Sequence, residues 1–265
     1  MAHQGADEDR IQETLSRIDK KYVVLSGKGG VGKSTVAVNL AVGLALKGKR
    51  TGLLDTDLHG PTVPKMLGLE KYVAQGDEKR LEPAVAYDGN LKVMSVQFML
   101  RNLHDSVIWR GPLKHAVISQ FVGHTVWGDL DFLIVDSPPG TGDEPLSVVQ
   151  TAKPDGAVIV TTPQEVATFD VRKSIDFCHR LELPVLGIVE NMSGFACPHC
   201  NTTTDIFGSG GGRRMSEDVG VPFLGGIPID PRFVSLSDAG GPLLGSENEG
   251  KTGEAVRAIL DKLIG

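Results

Sequence analysis

The chain has no apolar run approaching ~18 residues, so no stretch of it reads as a membrane-spanning helix. It begins with Asp7, Glu8 and Asp9 where a secretory leader would be basic and then apolar, and the expected location is the cytoplasm. Cysteine is scarce. Cys178, Cys197 and Cys200 are the 3 in 265 residues, too few for a disulfide framework in a chain of this size. Positive charge is in deficit, with 27 Lys and Arg against 33 Asp and Glu for a net charge of -6. A general nucleic-acid binder needs a cationic footprint, so nucleic acid is not an expected partner. Nor is a membrane surface, because the C-terminal apolar stripe Val256, Ile259, Leu260 and Leu263 is flanked by charges of both signs.

What the chain does have is glycine in a telling place. Gly27-Lys28-Gly29-Gly30-Val31-Gly32-Lys33-Ser34-Thr35 lies between the β-type run Tyr22-Val23-Val24-Leu25-Ser26 and a helical stretch starting near Lys33. In that setting G-x-x-x-x-G-K-S is a phosphate-binding loop. Its glycines let the backbone turn tightly and aim N–H groups inward, and the next helix presents its positive end to the same point. Gly29 to Thr35, that is Gly29, Gly30, Val31, Gly32, Lys33, Ser34 and Thr35, form the expected ATP cradle. Lys33 would reach the β- and γ-phosphates, and the Ser34 hydroxyl would ligate Mg²⁺. Lys28 is an addition. On the rim of the loop it has little to do within its own chain, and one use for it is a charge delivered across a dimer interface onto a partner's nucleotide.

Carboxylates follow at the ends of apolar runs. Leu53-Leu54-Asp55-Thr56-Asp57 places two acids at the sheet end where ligands of such folds collect, Asp57 to orient the attacking water and Asp55 to support the metal side. Phe132-Leu133-Ile134-Val135-Asp136 has the form of a strand that delivers a carboxylate to Mg²⁺. Directly after it, Ser137-Pro138-Pro139-Gly140-Thr141-Gly142 pairs stiff prolines with glycines able to approach a γ-phosphate, a segment suited to respond when that phosphate leaves.

Cys197-Pro198-His199-Cys200 is a second centre with several readings open. A zinc knuckle would need a second ligand pair. A thioredoxin-like dithiol would open a helix, yet Asn201-Thr202-Thr203-Thr204-Asp205 is a poor helix former. Two copies meeting at this point would supply four thiolates, enough for a bridging iron–sulfur cluster or a Cys₄ zinc. Cys178 stands apart and reads as a packed helix thiol.

Short apolar runs alternate with helical segments, which predicts an α/β fold with a mostly parallel sheet and helices on both faces. Strands are expected over 22–26, 51–55, 91–95, 132–136, 157–161, 185–190 and 223–228, and helices over 112–126, 144–152, 165–183 and 247–264. Residues 1–20 read as a flexible arm, 70–90 as an irregular surface excursion, and 194–212 as a C-x-x-C loop inserted in a single domain spanning 21–265.

The Lys-Gly-Gly-x-Gly-Lys-Ser loop resembles the deviant phosphate loop of the P-loop NTPases that include nitrogenase iron protein, MinD and ParA. That resemblance implies ATP-dependent face-to-face dimers. Further motifs narrow it: Asp57-Leu58-His59-Gly60-Pro61-Thr62-Val63-Pro64, Val107-Ile108-Trp109-Arg110-Gly111-Pro112, Asp136 to Asp143, Glu190-Asn191-Met192-Ser193, the C-x-x-C and Ile206-Phe207-Gly208-Ser209-Gly210-Gly211-Gly212. Together these are similar to the Mrp/ApbC family over nearly everything from Tyr22 onward. Membership implies a homodimeric, slow, Mg²⁺-dependent ATPase that binds a 4Fe–4S cluster between subunits through Cys197 and Cys200 and hands it to apoproteins. It also implies that Asn191 reads the adenine and that the segment carrying Pro228 and Asp230 lines the base. Thr62 stands where the family usually has Ser, and Asn201 where Gly is usual. The N-terminal additions of some relatives are not expected here. Two other readings stay open, a ParA/MinD-like positioning ATPase with a structural metal and an electron-transfer ATPase.

Overall fold

The computed structural model describes residues 2–58, 60–77, 80–99, 111–197, 202–242, 244–246 and 249–265. Helix α1 (Ala2–Ser16) leads into β1 (Ile18–Leu25), α2 (Lys33–Leu46) and β2 (Thr51–Asp55). A short α3 (Val63–Met66) opens an excursion holding β3 (Gly76–Asp77), β4 (Arg80–Leu81) and β5 (Ala84–Ala86), which returns through β6 (Leu91–Ser95). Then come α4 (Gly111–His124), β7 (Leu130–Asp136), α5 (Asp143–Ala152), β8 (Gly156–Thr161) and α6 (Glu165–Arg180). The chain closes with β9 (Val185–Ala196), β10 (Thr203–Thr204), α7 (Gly211–Val219), β11 (Phe223–Ile229), α8 (Pro231–Asp238) and α9 (Gly250–Ile264).

Nine strands make one sheet in the order β10-β9-β8-β1-β7-β2-β6-β5, with β11 also paired to β9. Pairing is parallel from β6 through β9 and on to β11; only β5 on β6 and β10 on β9 run antiparallel. Strands covered on both faces need apolar side chains at successive positions. Val23 and Val24 in β1, Leu133 and Val135 in β7, and Val158 and Ile159 in β8 are accordingly buried without trace of exposure. Helix α2 packs along β1, β2 and β7 and meets α9, whereas α6 and α7 pack together over β8 and β9. Gly43 is what lets α9 come close to α2, because a Cβ there would lie 2.2 Å from Leu260 Cδ1. β1 is central and its neighbours connect in opposite directions, so a ligand crevice is expected outside its carboxyl end.

Three expectations change. Residues 1–20 do not form an arm in this structure. Leu15 and Ile18 are buried, Thr14 Oγ1 donates to the Gly123 carbonyl at 3.1 Å, and Gly123 leaves room for Ile11 against α4. Part of 70–90 is ordered pairing: Ala84–Ala86 adds an antiparallel edge to the sheet, a strand too short to show a period of two. The helix expected over 165–183 stops at Arg180, and Glu182 turns with φ 54° before β9.

Candidate functional site

The phosphate loop joins β1 to α2, and its glycines answer to geometry. Gly30 and Gly32 both hold φ 79°, the left-handed region that costs other residues about 1–2 kcal/mol. Gly27 is needed for another reason, since a Cβ there would lie 2.4 Å from the Asp170 carbonyl oxygen of α6. The loop borders a cleft of ≈ 230 Å³ lined by Lys28, Gly29, Gly30, Lys33, Ser34, Thr35, Asp57 and Pro139. N–H groups at the start of α2, the helix's positive end and a lysine converge on it, which is what an anion requires.

Lys33 is nearly buried, with 6% of its side chain exposed, and its Nζ lies 2.5 Å from Asp136 Oδ1 and 3.3 Å from Ser34 Oγ. Burial pushes the Asp136 carboxyl up, against the pull of Lys33 and a hydrogen bond from Ser34. Asp136 Oδ2 is buried without a hydrogen-bond partner. An orphaned carboxylate oxygen beside a serine hydroxyl fits a hard divalent cation such as Mg²⁺. The register places Asp55 beside Asp136 on one side and Ser95 on the other. Asp55 is fully buried and is pushed up to about 8, by desolvation first and by repulsion from Asp136 second. Ser95 Oγ donates to Asp55 Oδ2 at 2.9 Å, and Asp57, whose N–H donates to Asp55 Oδ1 at 3.2 Å, borders the cleft. Of the two acids Asp55 is fully buried and Asp57 half-buried.

Lys28 does have something to do in its own chain: its Nζ is 3.9 Å from Asp170 Oδ2, a long and half-exposed pairing. The segment after Asp136 touches the phosphate loop, with Gly140 N–H donating to the Ser26 carbonyl at 2.8 Å and Gly140 at φ 93°. Asn191, at the end of the straight part of β9, donates from Nδ2 to the Val31 carbonyl at 2.9 Å and lies against Gly32. Ile227 of β11 joins Asn191, Thr35 and α9 around a crevice of only ≈ 10 Å³, so a base entering on this side must displace side chains. Asp230 is engaged elsewhere. It caps α8, accepting from Arg232 N at 3.0 Å and pairing with the Arg232 guanidinium. Pro228 lies within β11.

Beyond Asn191, β9 bulges where Met192 and Gly194 take positive φ, and then runs to Ala196. Cys197 follows as a free, half-buried thiol whose N–H donates to the Thr202 carbonyl at 3.0 Å, closing a hairpin onto β10. Cys200 lies outside the described residues, as does the 107–110 run. Cys178 is fully buried in α6, and burial pushes its thiol up to about 12. Among the described residues no group of three or more His, Cys, Asp or Glu side chains is arranged to hold a metal ion. Two residues given no role in the sequence matter here: Asp170, against Gly27 and Lys28, and Glu190. Glu190 is an acid closing the apolar run 185–189 within β9, a signal close to the one that marks Asp136.

Among the described residues no helix is long and apolar enough to cross a membrane. An iron–sulfur cluster carrier protein of Methanocaldococcus jannaschii is 49% identical over 259 residues, covering 97% of this chain and 89% of that protein. The cytosolic Fe-S cluster assembly factor CFD1 of Kluyveromyces lactis is 53% identical over 84% of this chain and 81% of its own. Among solved structures, a nucleotide-binding protein of Archaeoglobus fulgidus in complex with ADP superposes with TM-score 0.79 at 44% identity, covering 88% of this chain and 91% of that one. MinD of Aquifex aeolicus shares the fold, with TM-score 0.68 at 20% identity over 92% and 96% of the two chains. The pattern of the ParA group described as NUBPL iron-transfer P-loop NTPase matches residues 17–264, and the chain belongs to that family.

Proposed function

We propose that this protein is an ATP-hydrolysing iron–sulfur cluster carrier of the cytoplasm, a homodimer that holds a 4Fe–4S cluster as cargo and hands it to apoproteins. One observation carries the reading. A single strand, β9, touches the phosphate loop through Asn191 and delivers the free thiol of Cys197 at its end. Relatives named for cluster carriage and assembly match this chain over most of its length, which supports the same cargo here.

The chemistry divides among the residues in place. Backbone N–H groups of Gly29 to Thr35 and the α2 dipole bind the phosphates, and Lys33 neutralises the transferring group. Ser34 and Asp136 would hold Mg²⁺, which would supply further charge neutralisation at the phosphate oxygens. Asp57, bordering the cleft, orients the attacking water; Asp55, held in the interior by Ser95, backs Asp136 rather than touching substrate. Asn191 and Pro228 flank the base. Lys28 leaves Asp170 to reach the partner's nucleotide. Cys197 and Cys200 from each copy furnish the four thiolates that a 4Fe–4S cluster takes.

Transfer to an acceptor tests this function. Protein reconstituted anaerobically and desalted is mixed with a chelator and an apo-ferredoxin. Carriage is supported when the acceptor gains its cluster despite the chelator, and contradicted when the chelator takes all the iron.

A further inference from the structure

Glu190 is buried, with 1% of its surface exposed, and a buried carboxylate is costly unless hydrogen-bond donors surround it. Three do. Ser193 Oγ donates to Oε1 at 2.5 Å, Gly210 N–H to Oε1 at 3.0 Å, and Gly212 N–H to Oε2 at 2.5 Å. Gly210 is the N-cap of α7, at φ 74°, so the carboxylate sits at that helix's positive end much as a phosphate would sit at α2. Gly212 makes this approach close, since a Cβ there would be 3.1 Å from the Glu190 Cβ and 3.2 Å from Oε2.

These donors are not neighbours in the chain. Ser193 lies in the bulge through which β9 passes on its way to Cys197, and Gly210 and Gly212 lie where the chain returns from the cysteine hairpin. One carboxylate therefore fastens both the outgoing and the returning ends of the segment that carries Cys197. The next residue, Asn191, bonds the Val31 carbonyl of the phosphate loop. Gly212 is further wedged against Thr161 of β8, and Gly211 approaches so closely that a Cβ would be 2.2 Å from the Pro163 carbonyl oxygen. Thr161 and Pro163 therefore hold the returning end together with Glu190.

We propose that Glu190 is a positioning residue for Cys197, setting where that thiol is held and linking it to Asn191 at the phosphate loop. This rests on the carrier reading above. Outer partners that orient metal ligands typically affect metal affinity about 10–100-fold. The amide of Glu190→Gln keeps the shape but presents N–H groups to backbone N–H groups, so it releases at least one end.

The experiment uses the full chain, reconstituted anaerobically with iron and sulfide, as wild type, Glu190→Gln and Ser193→Ala. Three quantities are followed: the rise in melting temperature on adding ADP, the visible circular dichroism of the cluster, and the rate of iron loss to a ferrous chelator with and without a non-hydrolysable ATP analogue. Glu190→Gln is expected to keep the ADP response and lose iron about 10-fold faster or more. Its dichroism should change shape, and its iron loss should no longer respond to nucleotide. Ser193→Ala, which frees only the outgoing end, should fall between it and wild type, and it decides the matter if Glu190→Gln does not fold. Variants matching wild type in dichroism and nucleotide-dependent iron loss overturn the proposal alone. A wild type that binds ADP but takes up no cluster overturns the carrier reading and this proposal together.

Discussion

Lys33 Nζ lies 2.5 Å from Asp136 Oδ1 while Asp136 Oδ2, equally buried, has no partner. The lysine proposed for phosphate rests on the carboxylate proposed for Mg²⁺. Asp136→Asn should therefore fold yet lose Mg²⁺-dependent hydrolysis, and Mg²⁺ with ADP should raise the melting temperature of wild type more than ADP alone. Lys33→Ala strands a buried carboxylate, and breaking such a pair from one side costs about 3–5 kcal/mol. Denaturant unfolding with a parallel phosphate-release assay checks both variants; a Lys33→Ala protein as stable as wild type would contradict the pairing.

Lys28 gives a second test, because action on a partner's nucleotide predicts complementation. Lys28→Ala should bind ATP and hydrolyse it poorly, and so should fail alone, as should Lys33→Ala. Mixed, the two should recover part of the activity, since each mixed dimer has one intact phosphate site faced by one intact Lys28. If mixing restores nothing, Lys28 acts within its own chain, where Asp170 is its partner at 3.9 Å.

The pH dependence follows from Asp55, which burial and Asp136 push up from 3.8 to about 8. The folded state then holds a proton that the unfolded chain gives up near the ordinary carboxylate range. Stability from this group is full below that range and falls as pH rises through about 8. Nucleotide-free protein should melt progressively lower from pH 5 to pH 9, and Asp55→Asn, neutral throughout, should lose most of that decline. Equal slopes in the two proteins would place the titration elsewhere.

Cys178 should stay out of the cargo chemistry. Its buried thiol, pushed up to about 12, has almost no thiolate at pH 8. Iodoacetamide on the native, metal-free protein should label Cys197 within minutes and leave Cys178 unmodified by peptide mass mapping. Cys178→Ala should load as much iron as wild type.

Much of this was legible because apolar runs here end in chemistry. β2 and β7 close on Asp55 and Asp136, and β1 opens into the phosphate loop with the glycines where positive φ demands them. Glu190 closes an apolar run inside β9, yet its partners are N–H groups of Gly210 and Gly212 that sequence separates from it. Asp170, one turn into α6, carries no local signal of its contact with Gly27. The docking of α1 depends on Gly123 admitting Ile11, a fit between distant residues that no local pattern announces. Asp230 reads equally as a base-lining residue or a helix cap until Arg232 is seen against it.

The most direct test is anaerobic reconstitution with iron and sulfide, measuring iron and dimer mass for wild type and Cys197→Ala. The account predicts a broad absorbance near ~400 nm and about four irons per dimer in wild type, both lost in the variant. Stoichiometric zinc with no such band, or a band that survives in Cys197→Ala, would contradict it.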